Sequence, residues 1–88
     1  MTLKIERSER RGLTIFTLTG RLDMEHVPEL ESLLGPRTGY SKIIVDLKEV
    51  RFADRDAVTF LGGCQIAGLK VESCPAYIRE WMRRERNK

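Results

Sequence analysis

Glycines, prolines and charged runs divide the apolar positions of the chain into short segments. Leu3–Glu6 is predicted to form a short strand, because its two apolar residues would share one face. The β-branched and aromatic run Leu13–Thr19 predicts a second strand, which we expect Gly20 to end. The intervening segment Ser8–Gly12 is predicted to be a charged turn, so the two strands would form a hairpin.

The next two elements are predicted to be a helix and a buried strand. Leucines recur at helical spacing after Pro28, which suits a first helical turn because the N–H that proline lacks would have no partner there. Gly35-Pro36 is expected to end this helix, and residues 37–42 form a polar loop. The continuous apolar run Ile43–Leu47 predicts a strand covered on both faces or an interior strand of the sheet.

The second half of the chain continues the alternation of strands and helices. The acidic turn Asp54-Arg55-Asp56 precedes apolar positions at helical spacing, which predicts a helix that Gly68 ends. Leu69–Glu72 is predicted to form a short strand, and Pro75 opens a last helix. The resulting order, ββαβαβα, indicates an α/β fold, and its strand–helix–strand steps imply parallel pairing.

The composition indicates one globular domain that spans residues 1–88, with 41% apolar and 33% charged residues. The apolar runs are too short for membrane insertion, and the charged N-terminus excludes a secretory signal. We therefore expect a cytoplasmic, bacterial-type location. Two cysteines are too few for a disulfide scaffold, and we expect both to be reduced.

The net charge of +3 comes entirely from the C-terminal end. Residues 1–76 carry as many basic as acidic side chains, whereas residues 78–88 form a basic helix end. These cations could meet phosphates, which makes nucleic-acid binding one alternative function. The dipole of a helix also favours cations at its C-terminus, so we expect no nucleic-acid binding. A salt-dependent shift assay with duplex DNA discriminates between the two.

An enzyme is not expected, because the residues for catalysis are scarce. The single histidine, His26, has no plausible nucleophile to activate, and no glycine-rich phosphate loop is present. A zinc site formed by His26, Cys64 and Cys74 would lack ligand spacing and a fourth ligand. We therefore predict no catalytic residue, no metal and no cofactor.

Several carboxylates have both a structural and a functional interpretation. Asp54 follows a buried strand at a helix N-terminus, where it could cap the helix or belong to a site, and capping is favoured. Asp23 follows a strand and could be an acid–base residue or a loop hydrogen-bonder, of which the second is favoured. Asp46 lies within an apolar run, and we expect it to make a structural hydrogen bond.

Two segments carry a resemblance to a known family. The segment Leu18–Asp23 (LTGRLD) resembles the Leu-x-Gly-x-Leu-Asp signature of the STAS domain, the sulfate transporter and anti-sigma factor antagonist module. The segment Ile44–Asp54 (IVDLKEVRFAD) resembles its second signature, a Val-x-Asp-Leu strand followed by a turn with Phe and Asp. With the order of elements, the resemblance covers residues 3–72.

The resemblance implies a STAS-like fold, an approximately four-stranded mixed sheet with helices mainly on one face. It also implies a non-enzymatic protein-interaction module, similar to an anti-sigma factor antagonist in a partner-switching system that regulates transcription. In such antagonists, a Ser in the turn Asp-Ser-Ser-Gly is phosphorylated by the anti-sigma factor, a kinase. The unphosphorylated form binds this kinase and releases the sigma factor. The implied partner is therefore a protein, with an anti-sigma factor kinase as the candidate.

This chain departs from the family in that turn, which reads Asp54-Arg55-Asp56-Ala57. Asp56 occupies the phosphoacceptor position, and the next hydroxyl is that of Thr59, so we expect no serine phosphorylation switch. Asp56 either mimics phosphoserine or only caps the helix. The candidate partner-binding residues are Asp23, Phe52, Asp54, Arg55, Asp56 and Thr59, and His26 is expected to lie near them.

A second function within the family is an accessory subunit of a membrane transport assembly. Genes for a permease and an ATPase nearby would favour that function, whereas genes for a sigma factor and a kinase would favour the first. The sequence leaves open whether an apolar sheet face drives homodimer formation.

Overall fold

A computed structural model describes residues 3–86, with side chains through Arg84. The order of strands in its four-stranded sheet is β1-β2-β3-β4. The β1–β2 pair is antiparallel, whereas β2–β3 and β3–β4 are parallel, as predicted. The strands are β1 (Leu3–Arg10), β2 (Leu13–Leu22), β3 (Ile43–Ala53) and β4 (Lys70–Glu72), and the helices are α1 (Val27–Leu34), α2 (Arg55–Ile66) and α3 (Ala76–Arg86).

The connection between β1 and β2 is shorter than predicted. Strand β1 runs to Arg10, and only Arg11 and Gly12 form the turn, with φ angles of 54° and 80°. Two successive residues with positive φ are typical of the type I′ turn of a hairpin. The predicted turn Ser8–Gly12 is therefore too long, because residues 8–10 lie in the exposed part of an edge strand.

The sequence predicts that Gly20 ends β2, and this prediction is wrong. The strand continues to Leu22, and the register with β3 shifts between Gly20 and Arg21. Gly20 has a φ of 101°, which only glycine adopts readily, so it accommodates the irregularity instead of ending the strand. Beyond it, Leu22 returns to the core and is fully buried.

Strand β3 is an interior strand, as predicted, and is longer than the apolar run Ile43–Leu47. Its polar residue Asp46 makes the expected structural hydrogen bond, because Oδ1 accepts from the Lys48 N–H at 2.9 Å. Residues 37–42, predicted as a loop, form a 3₁₀ helix that leads into β3. The other boundaries agree closely, since α1 begins at Val27 and β4 at Lys70.

One face of the sheet carries the core, and all three helices pack on it. Its central residues are Phe16 and Leu18 of β2, Val45 and Leu47 of β3, Leu30 and Leu34 of α1, Val58 and Leu61 of α2, and Ile78 and Met82 of α3. On the opposite face, Ile15 and Ile44 lie side by side across β2 and β3, buried but outside this cluster. The helices therefore cover one face of the sheet, as expected.

Helix α2 tolerates two glycines in its middle, Gly62 and Gly63. Neither has a heavy atom within 4 Å of the position that a Cβ would occupy, so no close packing requires a glycine there. After the helix, Gly68 has a φ of 114°, which an L-amino acid with a side chain rarely adopts. The two kinds of glycine therefore respond differently to substitution.

We predict that Gly63→Ala stabilises the protein by about 0.5–1 kcal/mol, because alanine reduces the conformational freedom of the unfolded chain. The matched variant Gly68→Ala is expected to lower the free energy of unfolding, since alanine is strained at that φ. Urea denaturation followed by circular dichroism measures both. Effects of the same sign in the two variants would contradict the distinction between the helical glycine and the positive-φ glycine.

Candidate interaction site

The site predicted from the sequence lies where β2 and β3 end. Asp54 follows β3 and has the extended backbone of an N-cap residue, with a φ of −91°. Its Oδ1 accepts a hydrogen bond from the Ala57 N–H at 2.9 Å, and its carbonyl accepts from the Val58 N–H at 3.0 Å. These bonds satisfy amides that would otherwise lack partners at the start of α2. The capping interpretation of Asp54 is confirmed.

The second carboxylate oxygen of Asp54 reaches another element. Its Oδ2 accepts a hydrogen bond from the Met24 N–H at 3.0 Å, in the turn that follows β2. The Asp54 N–H in turn donates to the Leu22 carbonyl at 3.2 Å. Asp54 thus joins the end of β2, the end of β3 and the start of α2. Because both its oxygens serve the fold, we regard Asp54 as a positioning residue.

Asp23 organises the turn after β2. Its Oδ1 accepts from the Glu25 N–H at 3.1 Å, and its carbonyl accepts from the His26 N–H at 3.0 Å. The ring Nδ1 of His26 also lies 2.9 Å from Oδ1, a close polar contact that does not meet hydrogen-bond geometry. Asp23 is therefore a loop hydrogen-bonder, the favoured interpretation.

An aromatic–cation pair lies beside the Asp23 turn. The Arg21 guanidinium carbon is 4.2 Å from the centroid of the Phe52 ring, and Arg21 Nε is 3.4 Å from Asp23 Oδ2. Arg21 and Phe52 are paired in the β2–β3 register, on the face of the sheet without helices. Phe52 stays 41% exposed. A cation over an exposed aromatic ring contributes about 0.5–1 kcal/mol to stability.

Asp56 is exposed in the first turn of α2 and is not the residue that caps the helix. The alternative in which Asp56 only caps the helix is wrong, because Asp54 performs that role. The helix dipole favours a carboxylate at this position, but only weakly at an exposed site. Thr59 lies one turn further on the same helix and is also exposed, as is Arg55.

The structure therefore brings the predicted residues to one end of the sheet in different roles. Asp23 and Asp54 are joined through the Met24 turn, with His26 in the same turn, as expected. Arg21 and Met24 were not predicted as site residues. The contact of Arg21 depends on the pairing register of two strands. That of Met24 depends on a long-range hydrogen bond from its N–H to the Asp54 carboxylate, so neither has a local sequence signal.

The cysteines do not provide a nucleophile at this site. Cys64 is buried, its Sγ lies 3.9 Å from the Tyr40 hydroxyl, and burial raises the pKa of the thiol. Burial likewise raises the pKa of Cys74. Both thiols are therefore mainly protonated at neutral pH and react slowly. Within residues 3–86, no three His, Cys, Asp or Glu side chains are grouped as metal ligands.

Solved structures with similar folds place these observations in context. No family model and no curated protein matches the chain. An anti-sigma factor antagonist from Mycobacterium paratuberculosis aligns with a TM-score of 0.63 and 19% identity, over 80% of this chain and 64% of that chain. The anti-sigma factor antagonist SpoIIAA in its unphosphorylated form aligns with a TM-score of 0.57 and 16% identity, over 99% and 100%. This chain has a STAS-like fold.

A third structure supports the same assignment. An uncharacterised protein from the DUF3478 family of Shewanella loihica PV-4, with a SpoIIAA-like fold, has a TM-score of 0.54 and 16% identity, over 97% of this chain and 76% of that chain. The STAS-like fold that the resemblance implies is thus confirmed. In the described part of the STAS-like domain, no helix is long and apolar enough to cross a membrane.

We predict that Asp54→Ala lowers the free energy of unfolding by about 1–3 kcal/mol, because it removes the cap and the bond to the Met24 turn. The matched variant Asp56→Ala should cost at most about 1 kcal/mol, and less in about 0.5 M salt, since only the helix dipole is involved. Urea denaturation at low and high salt measures both. An equal, salt-independent loss in the two variants would show that the roles are wrongly assigned.

Proposed function

We propose that this protein is a non-enzymatic protein-interaction module of the partner-switching type, and that its contact surface is the start of α2. The observation that carries the proposal is the division of roles in the turn. Asp54 is used by the fold, whereas Asp56 and Thr59 are exposed on a helix that Asp54 positions. The known proteins that share this STAS-like fold include two described as anti-sigma factor antagonists.

The proposed surface continues around the end of the sheet. The Arg21–Phe52 pair lies next to the Asp23 turn, which contacts the start of α2 through Met24. Arginine and aromatic side chains are enriched among the residues that dominate binding energy at protein interfaces. A partner that contacts Asp56 and Phe52 together would meet an apolar ring flanked by charges of both signs, which suits a polar, reversible interface.

The partner in this proposal is an anti-sigma factor of the kinase class, bound without a phosphorylation cycle. A phosphoserine carries about −1.5 to −2 charges and three acceptor oxygens, whereas a carboxylate carries a single charge and extends less far. Asp56 therefore supplies a smaller charge than phosphoserine at the position where the family carries its phosphoacceptor. In this proposal that charge is too small and extends too little to hold the module in the phosphorylated form, which does not bind the kinase. Binding to this module would depend on the amount of protein present and not on its phosphorylation state.

Phosphorylation tests the absence of the switch. We expect no phosphate on the wild-type chain after incubation with ATP and an anti-sigma factor kinase from the same organism, since the turn has no serine. Intact-mass spectrometry is the measurement, and an antagonist with the Asp-Ser-Ser-Gly turn that this kinase phosphorylates is the positive control. Stoichiometric phosphate on residues 54–59 would overturn the switch-free proposal.

Binding tests the contact surface. Thr59→Arg places a large cation on the exposed face of α2, and we expect it to weaken binding to that anti-sigma factor at least about tenfold. The matched control Ser32→Arg makes the same kind of change at an exposed position of α1 and should bind like the wild type. Isothermal titration calorimetry measures both affinities. Absence of wild-type binding would refute the proposed partner, and equal affinities of both variants would refute the surface.

A further inference from the structure

The outer edge of β1 is open in the part of the chain that the structure describes. The order of strands places β1 at one end of the sheet, where it pairs with β2 alone. Residues 6–10 of this strand are all exposed. Natural proteins usually protect such an edge with proline, a bulge or charges that repel another strand, because its free N–H and C=O groups can pair with a second chain.

The hairpin turn determines which backbone groups of β1 face outward. Arg10 and Leu13 flank the two-residue turn and form the hydrogen-bonded pair that closes the hairpin. Because hydrogen-bonding direction alternates along an antiparallel strand, the amide and carbonyl of Ser8 also point towards β2. Those of Arg7 and Glu9 therefore point to the open edge, where a further strand could bond with them.

The charged residues along this edge are arranged so that an antiparallel second copy would place opposite charges against them. The segment Glu6–Arg10 reads Glu-Arg-Ser-Glu-Arg, so reversal about Ser8 exchanges every charge for its opposite. In an antiparallel pair of two copies centred on Ser8, Arg7 would face Glu9 of the second copy, and Glu6 would face Arg10. Opposite charges directly across two strands stabilise pairing, and like charges destabilise it.

Registers centred on the neighbouring charged residues bring like charges together. A two-fold axis perpendicular to the sheet keeps the same face of both copies on the same side. The axis must therefore lie between one residue and the same residue of the second copy. Centring the pair on Arg7 brings its guanidinium against its own copy and places Lys4 against Arg10. Centring it on Glu9 brings two carboxylates together and places Arg7 against Arg11. Centring it on Ile5 pairs only Lys4 with Glu6, so the register centred on Ser8 joins the largest number of opposite charges.

The direction of the backbone groups is compatible with that register. Arg7 and Glu9, whose amides face the open edge, become the hydrogen-bonded pairs across the two-fold axis. Within one chain, Arg7 Nη2 already lies 3.6 Å from Glu9 Oε2 on the same face of β1. Pairing would join this ion pair with its counterpart from the second copy, so that positive and negative groups alternate on that face.

We propose that the open edge of β1 binds β1 of a second copy of this chain, antiparallel and centred on Ser8. The two sheets then form one continuous sheet across the dimer. The contact lies at the hairpin end of β2, and the Asp54 turn lies at the opposite end of that strand. Each copy would keep its partner surface accessible, so the dimer is bivalent. A contact between short strand segments is small, so the dimer is weak and sensitive to salt.

A charge exchange tests this register. Arg7→Glu and Glu9→Arg each place like charges across the axis, and we expect each to weaken self-association about fivefold or more. The double variant that combines them places opposite charges there again and should recover the wild-type association constant. Sedimentation equilibrium of the full chain up to about 1 mM, in about 0.05 M and about 0.5 M NaCl, measures the constants.

The controls carry the same changes of net charge elsewhere. Arg37→Glu and Glu31→Arg alter exposed residues outside the sheet and should leave self-association unchanged. If a single variant fails to fold, as judged by circular dichroism, the exchange of Glu6 and Arg10 repeats the test with the outer pair. A monomer at every concentration, a dimer that the single variants leave intact, or a double variant as weak as the singles would each overturn the proposal.

Discussion

The carboxylate of Asp54 is the contact on which this end of the molecule depends. One oxygen caps α2, and the other holds the backbone of Met24 in the turn after β2. These bonds are charge-assisted, which makes them stronger than bonds between neutral groups, and the capping bond is partly buried. Together with the burial of Val58 and Leu61 in the core, these bonds fix the start of α2 and so the position of Asp56 on its first turn.

The sequence predicts the order of elements and the interior position of β3 because these features have local causes. Continuous apolar runs belong to covered strands, and an aspartate before a helical pattern caps the helix. The predictions that fail concern where strands end. Gly20 looks like a terminator, and Ser8 looks like part of a turn, because their strand states depend on the neighbouring strands. Pairing can extend a strand through residues of low β-propensity.

In the candidate site too, features with local causes are predicted from the sequence, and features that depend on strand pairing are not. The proximity of Asp23 to Asp54 follows from the family resemblance, and the capping role of Asp54 follows from its place in the chain. The stacking of Arg21 on Phe52 follows from neither, because irregularities in the β2–β3 register decide which side chains face each other. Whether Asp56 faces solvent likewise depends on how α2 packs, which a helical pattern broken by two glycines predicts poorly.

The exposed position of Asp56 also bears on how such a domain can diverge. Because Asp54 supplies the cap and the cross-link between turns, folding places little demand on the side chain at position 56. Serine, aspartate or another small polar residue can occupy that position with nearly the same stability, while each gives the surface a different charge. A single substitution there can therefore change the charge of this surface without a compensating change in the core.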